Sequence, residues 1–269
     1  MSTDLVVVDA FTPRPFAGNP AAVCLLERPA DEGWMVRVAA EMNLSETAFL
    51  WPLVDGTRSL RWFTPTVEVE LCGHATLASA HVLFTDGHAE RDEVLRFTTR
   101  SGELTARRAD DRITLDFPKH TWEDAPADRD AVAHALRIDP GSVVATARGH
   151  KNHVAELADT ELVRTLQPDF AAIDALPLGT VLAMAAEPEE GNRPDVVSRY
   201  FAPRYGIDED PVTGSTHSLI GPWFEHRLGA AFACYQASSR GGYLDLVVEP
   251  DRVRIRGQAV TTLRSTLVV

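Results

Sequence analysis

Cys72-Gly73-His74-Ala75-Thr76-Leu77-Ala78-Ser79-Ala80-His81 reads as a strand end, a Gly turn and the first turns of a helix built of small residues. Upstream, Leu60, Trp62 and Phe63, then Val67, Val69 and Leu71, give a period-two apolar pattern broken at Pro65, as in a strand running into a turn. Downstream, Ala75, Leu77, Ala78, His81, Val82 and Leu83 can share a helical face, and the Ala/Ser content predicts a helix packed closely on all sides. Free N–H groups at such a helix start, reinforced by the helix dipole, suit a small carboxylate. A buried helix behind a Gly turn needs no ligand, so both readings stay open for this stretch alone.

A second copy shifts the balance. Arg61-Trp62-Phe63-Thr64-Pro65 is echoed by Arg199-Tyr200-Phe201-Ala202-Pro203 at an offset of 138 residues, and Cys72-Gly73 by Thr213-Gly214 at 141. Arg100-Ser101-Gly102-Glu103-Leu104 matches Arg240-Gly241-Gly242-Tyr243-Leu244, and Asp111-Arg112-Ile113 matches Asp251-Arg252-Val253, both at 140. Landmarks in one order at nearly constant spacing predict two copies of one fold, each about half the chain. The polar, Pro-containing stretch from Pro118 to Arg129 is the expected boundary, giving domains 1–118 and 119–258, with the strand-like 259–269 crossing back to the first.

The chain has 269 residues, 45% of them hydrophobic, enough for two packed domains. A formal charge of −13 spread along the chain argues against nucleic acid or an anionic membrane surface as partner. Cys24, Cys72 and Cys234 show neither disulfide nor metal spacing. No basic leader and no apolar run of spanning length is visible, so a cytoplasmic protein is expected.

Within this frame, three further positions carry candidate chemistry. The Pro/Gly-rich loop 11–20 contains Asn19, for which packing and ligand binding are both open. Glu46 sits between a helix over 31–42, closed by Asn43-Leu44-Ser45, and an apolar strand from Thr47; by position it reads as a solvated loop residue, but the second copy has no carboxylate near the matching Gly179-Thr180, which makes it a candidate for chemistry with a single proton carrier. Ile207-Asp208-Glu209-Asp210-Pro211-Val212-Thr213-Gly214-Ser215 replaces the simple turn of the first copy with three extra residues, and Asp210 beside Pro211 is either a cap or a functional carboxylate. The histidines of Gly149-His150-Lys151-Asn152-His153 read as packing or solvent-facing, Glu187–Arg193 as a charged loop, and Gly221-Pro222 as a kink or break in the second helix.

The stretches Phe16-Ala17-Gly18-Asn19-Pro20-Ala21-Ala22-Val23, Ser45-Glu46-Thr47-Ala48-Phe49, Leu71-Cys72-Gly73-His74-Ala75-Thr76 and Glu209-Asp210-Pro211-Val212-Thr213-Gly214-Ser215, with the Arg61–Pro65 run, together resemble the PhzF-like phenazine-biosynthesis isomerase family of the diaminopimelate-epimerase-like superfamily. The resemblance runs from the first strand to the last. It implies an α+β fold of two pseudo-symmetric domains, each a mixed sheet rolled around a central helix, a cofactor-free active site in the interdomain cleft, and a homodimer. It also implies Glu46 as the acid/base, with His74, Asp210 and Ser215 holding substrate and assisting proton movement. Asn19 and the N–H groups near Gly73 and Gly214 complete the expected substrate contacts, and no metal is expected. Thr216, the Gly221-Pro222-Trp223 run and Ala237 depart from the family pattern and bear on pocket shape.

The expected reaction moves a proton between carbons of a small cyclic amino or hydroxy acid, of the trans-2,3-dihydro-3-hydroxyanthranilate type. Two rivals stand beside it. One is an epimerase or dehydratase using Cys72 as a thiolate base; with Thr213 in place of a second Cys, only one-thiol chemistry survives. The other is a non-catalytic binder of small acids.

Overall fold

The computed structural model of the chain describes residues 2–186 and 194–268; the Glu187–Arg193 loop read from sequence lies outside them. The chain folds as two units, Met1–Phe117 with Arg254–Val269, and Pro118–Val253. The second crossing falls inside the strand Arg252–Gly257, a few residues before the position 258 expected from the sequence.

In the first unit, strand Ser2–Ala10 pairs antiparallel with Asn19–Leu25 on one side and with Ala259–Val268 on the other. Asn19–Leu25 runs parallel to Glu46–Pro52, which pairs antiparallel with Arg58–Phe63. Arg58–Phe63 then pairs antiparallel with Glu68–Val69 and parallel with Val94–Thr99, and Val94–Thr99 antiparallel with Gly102–Ala109. The second unit repeats this succession with Val143–Gly149, Asn152–Leu157, Val181–Ala186, Val196–Ala202, Ile207–Asp210, Ala231–Gln236 and Gly242–Val248. The orientation of every pair is the same in both. One side-chain device is duplicated as well: Arg61 grips Glu68 through two hydrogen bonds of 2.7 and 2.6 Å and lies over Phe63, while Arg199 grips Glu209 at 2.7 and 2.8 Å and lies over Phe201. A planar guanidinium fits a carboxylate with two parallel bonds, which fixes the short return strand against its neighbour.

Alternation along the strands decides what each sheet face meets. In the first unit Ala22, Cys24, Phe49, Trp51 and Phe63 pack with Met35, Val38 and Ala39 of helix Glu32–Met42. Asp31 caps that helix by accepting the Trp34 N–H at 3.0 Å, and Asn43 ends it in the left-handed region at φ 48°. The alternate set, with Ala21, Val23, Ala48 and Leu50, faces the other way, toward helix Gly73–Thr85. That helix is buried along nearly its whole length, consistent with its Ala/Ser composition.

Helix Gly214–Leu228 takes the equivalent place in the second unit. Pro222 lies inside it without ending it, so of the kink or break read from Gly221-Pro222 the break does not occur. The carbonyl of Ser218, which loses its helical donor to the proline, accepts the His120 N–H at 3.1 Å instead. Gly221 permits the close approach of the sheet, since a Cβ there would stand 3.1 Å from Val248 and 3.2 Å from Val253. The unpatterned stretch 118–129 contains a strand, Trp122–Asp124, paired with Val143–Gly149. No described helix is long and apolar enough to cross a membrane.

His217 on this helix is fully buried, its Nδ1 2.8 Å from the Thr213 carbonyl. Burial pulls its pKa down to about 4, with the Thr213 carbonyl opposing. The unfolded chain therefore takes up a proton near the ordinary imidazole value of roughly 6.5, while the folded chain resists until about 4. This contribution to stability, on the order of 3 kcal/mol, is fully present above the unfolded pKa and lost as pH falls through that window. Urea unfolding followed from pH 7 to pH 4 should show a smaller loss for His217→Asn than for the parent; equal losses would remove His217 from the account.

Candidate active site

Glu46 opens its strand instead of preceding it, because it pairs with Ala21 on the neighbouring strand. Its alternation matches Ala48 and Leu50, so its carboxylate belongs to the sheet face covered by helix Gly73–Thr85. Asn19 shares that face with Ala21 and Val23, and His74 stands in the first turn of the helix. Three segments distant in sequence thus deliver side chains to one corner. His74 Nε2 lies 3.1 Å from Glu46 Oε2, and Asn19 Nδ2 lies 3.1 Å from His74 Nδ1. Ser45 Oγ, one residue before the acid, donates weakly to Asn19 Oδ1 at 3.5 Å. Asn19 is fully buried and His74 nearly so, whereas the Glu46 side chain keeps 19% exposure. Glu46 Oε2 is itself buried and makes no well-directed hydrogen bond; the His74 contact is close but bent.

Cys72 closes the group, with Sγ 3.6 Å from Nδ1 and 3.9 Å from Nε2 of His74. Burial, with Glu46 adding to it, pushes the thiol up to about 11 despite the opposing pull of His74. Burial is likewise the largest influence on His74 and acts to lower its pKa, but anionic Cys72 and Glu46 together outweigh it and raise it well above the ordinary value. Since the thiol keeps its proton at neutral pH, only Glu46 exerts that pull there, and the balance moves back toward neutral imidazole.

Glu46, Cys72 and His74 offer donor atoms that all lie within 4.8 Å of one another, close enough to suggest a shared metal ion. Sγ is almost equidistant from the two ring nitrogens and therefore sits abreast of the ring. A zinc ion in the ring plane on Nε2 would stay at least roughly 3.5 Å from that sulfur, against about 2.3 Å for a Zn–S bond. The side chains as placed do not form a metal centre.

Asp210, Gly214 and Ser215 belong to the second unit. Asp210 ends strand Ile207–Asp210, opposite Tyr200 of Val196–Ala202, so the acidic segment is an extended return strand rather than a loose insertion. Its carboxylate accepts the Thr213 hydroxyl in a short hydrogen bond. Gln236, fully buried, clasps the turn by donating to the Asp210 carbonyl at 2.8 Å and accepting the Thr213 N–H at 2.8 Å. Gln236 is not among the candidates read from the sequence; a Gln on the buried face at the end of an alternating strand is the signal that marks it. Thr213 and Cys72 stand before the two helices in the same extended conformation, and neither side chain caps the helix.

The second copy lacks the acid. Thr180 stands at the start of strand Val181–Ala186, where Glu46 stands in the first, and its hydroxyl donates to Asn152 Oδ1 at 2.9 Å, as does Tyr200 at 2.8 Å. The equivalent corner is a closed set of neutral hydrogen bonds. His153 is buried with Nδ1 3.0 Å from Asp128, and His150 stacks on His120 at 3.8 Å, so these histidines pack within the second unit.

Residues 8–265 match the family described as "Phenazine biosynthesis-like protein" (PhzC-PhzF). The chain belongs to the phenazine biosynthesis-like family. An uncharacterized isomerase of Halalkalibacterium halodurans is 43% identical over 270 residues, covering all of both chains. The mouse phenazine biosynthesis-like domain-containing protein 2 is 43% identical over 297 residues, covering 99% of each. The crystal structure of a PhzF-family phenazine biosynthesis protein from Enterococcus faecalis superimposes with a TM-score of 0.92 at 39% identity over the full length of both. A hydroxyproline epimerase from Agrobacterium vitis shares the fold, with a TM-score of 0.65 at 13% identity over 99% of this chain and 92% of that one. The two-copy α+β architecture is thus that of the PhzF and proline-epimerase-type folds.

Proposed function

We propose that this member of the phenazine biosynthesis-like family is an isomerase that works without a cofactor and moves a proton between carbons of a small, cyclic amino or hydroxy acid. The observation that carries this reading is the single partly open carboxylate, Glu46, beside the buried imidazole of His74 in one copy of the fold, where the other copy has Thr180. Glu46 takes a proton from one carbon of the substrate; the electron pair moves along the adjoining double bond; the same proton returns from Glu46 to the far carbon on the same face. No other reactant is consumed. His74 Nε2 faces the reacting carboxylate, and the N–H groups at the start of helix Gly73–Thr85 offer partners for the substrate's own carboxylate. Asp210, Gly214 and Ser215 are assigned to binding and orienting the same acid, an assignment that a raised KM in Asp210→Asn and Ser215→Ala supports and an unchanged KM removes. A homodimer is proposed on the same resemblance and is checked by light scattering.

The test is an NMR time course in deuterated water with trans-2,3-dihydro-3-hydroxyanthranilate, corrected for its spontaneous decay. Isomerisation above that background supports the reading. If neither this nor any other cyclic amino or hydroxy acid offered is isomerised or exchanges a carbon-bound proton, the non-catalytic binder replaces it.

The thiol-base alternative requires a thiolate at neutral pH, and the buried Cys72 keeps its proton up to about 11. Cys72→Ser is therefore expected to retain turnover within about tenfold, and iodoacetamide at pH 7.5 to inactivate slowly. Rapid inactivation that disappears in Cys72→Ser would restore the thiol mechanism.

A further inference from the structure

We propose that Asn19 is a positioning residue that holds His74 as the Nε2–H tautomer, so that the single imidazole proton faces Glu46. The inference deepens the isomerase reading and rests on it only for its effect on rate; the tautomer itself is independent of any substrate.

The contacts form a chain in which the His74–Glu46 link is close but bent. Asn19 Nδ2 is 3.1 Å from His74 Nδ1 and His74 Nε2 is 3.1 Å from Glu46 Oε2. Ser45 Oγ meets Asn19 Oδ1 at 3.5 Å, and Ser45 is bonded covalently to Glu46. With the amide oxygen turned to the serine hydroxyl, the amide NH2 faces the ring. An amide NH2 can only donate, so Nδ1 must be the bare acceptor and the ring proton must reside on Nε2. Both partners are buried, and a buried donor–donor contact would cost more than the bond gains. Asn19 also has little freedom to turn away. It opens the strand Asn19–Leu25, paired to Ala10, directly after a glycine at φ +64°.

The consequence is directional. The Nε2–H proton turns a donor toward the Glu46 carboxylate that must accept the substrate proton, and a bare Nε2 would instead compete with it as a second base. The second copy indicates what the asparagine does when no histidine is present. Asn152, which likewise opens its strand, accepts two hydroxyls through its Oδ1 and donates through its Nδ2 to the His150 carbonyl.

The experiment is histidine-selective ¹⁵N NMR of the full-length protein at pH 7.5, with His74→Gln to assign the ring. Nine histidines are present, and the signals of those other than His74 report whether each variant is folded. The wild type should show a bare Nδ1 and a protonated Nε2 at His74. Asn19→Asp, whose carboxylate can only accept, should place a proton on Nδ1, and turnover should fall roughly 100-fold with a smaller change in KM. A wild-type His74 with its proton on Nδ1, or on both nitrogens, overturns the proposal even if no variant folds. An Asn19→Asp protein with an unchanged tautomer overturns it as well. A correct tautomer shift in a protein that isomerises nothing would leave the lock standing and count against the isomerase reading alone.

Discussion

Glu46→Gln is expected to bind the acid substrate nearly as the parent does and to lose turnover by a factor of roughly 10² to 10⁴, the usual contribution of a positioned acid/base. The substitution preserves shape and hydrogen-bonding atoms but leaves no site that can gain and release a proton at carbon. Little structural damage should accompany it, because Glu46 Oε2 makes no well-directed hydrogen bond and the side chain is partly open. The backbone pairing of Glu46 with Ala21 is untouched. Deuterium incorporation separates the possible roles. If Glu46 abstracts the proton, Glu46→Gln neither isomerises the substrate nor incorporates any deuterium that the parent incorporates; if it only orients substrate, both persist at a reduced rate. Turnover within a few-fold of the parent would withdraw the assignment, and the search would move to His74 and Cys72.

The sequence spoke most clearly where a physical requirement leaves a local mark. A helix enclosed by a sheet on all sides needs small residues throughout, and the run from Gly73 to Ala80 displays that need without any partner in view. The duplication was visible because the Arg61 and Arg199 braces require Arg, an aromatic residue two positions on and a Glu in the return strand. Strand parity, by contrast, could not be fixed at Glu46. Whether it lay in a loop or in the strand depended on its parallel pairing with Ala21, a contact that leaves no periodic trace. The Asn19–His74 contact was hidden for the same reason: it spans 55 residues and is set by register and helix placement. That Pro222 does not end its helix depends on the distant His120 N–H that serves the freed carbonyl, which no local pattern displays. Trp122–Asp124 is too short a strand to show alternation.

Gly18→Ala should be among the most damaging single substitutions in the first unit, and its cost has two separable parts. Gly18 has φ +64°, where an L side chain costs about 1–2 kcal/mol. A Cβ there would also stand 2.1 Å from the Ala10 carbonyl oxygen and 2.8 Å from Thr12 Cγ2. Ala10 cannot retreat, since its strand is paired to Asn19 on one side and to Ala259 on the other. Overpacking against immobile backbone adds about 1–3 kcal/mol, for a total on the order of 3 kcal/mol or more. Gly56 supplies the control: it has φ +82° but nothing within 4 Å of an added Cβ, so Gly56→Ala should show the backbone part alone. Chemical denaturation of the two variants measures the difference, and equal losses would mean that the close approach at Gly18 costs nothing. The chain can relieve the clash only by moving the segment that carries Asn19. Whatever Gly18→Ala protein remains folded should therefore also lose turnover, because Asn19 no longer meets His74 at hydrogen-bond distance, whereas folded Gly56→Ala keeps it.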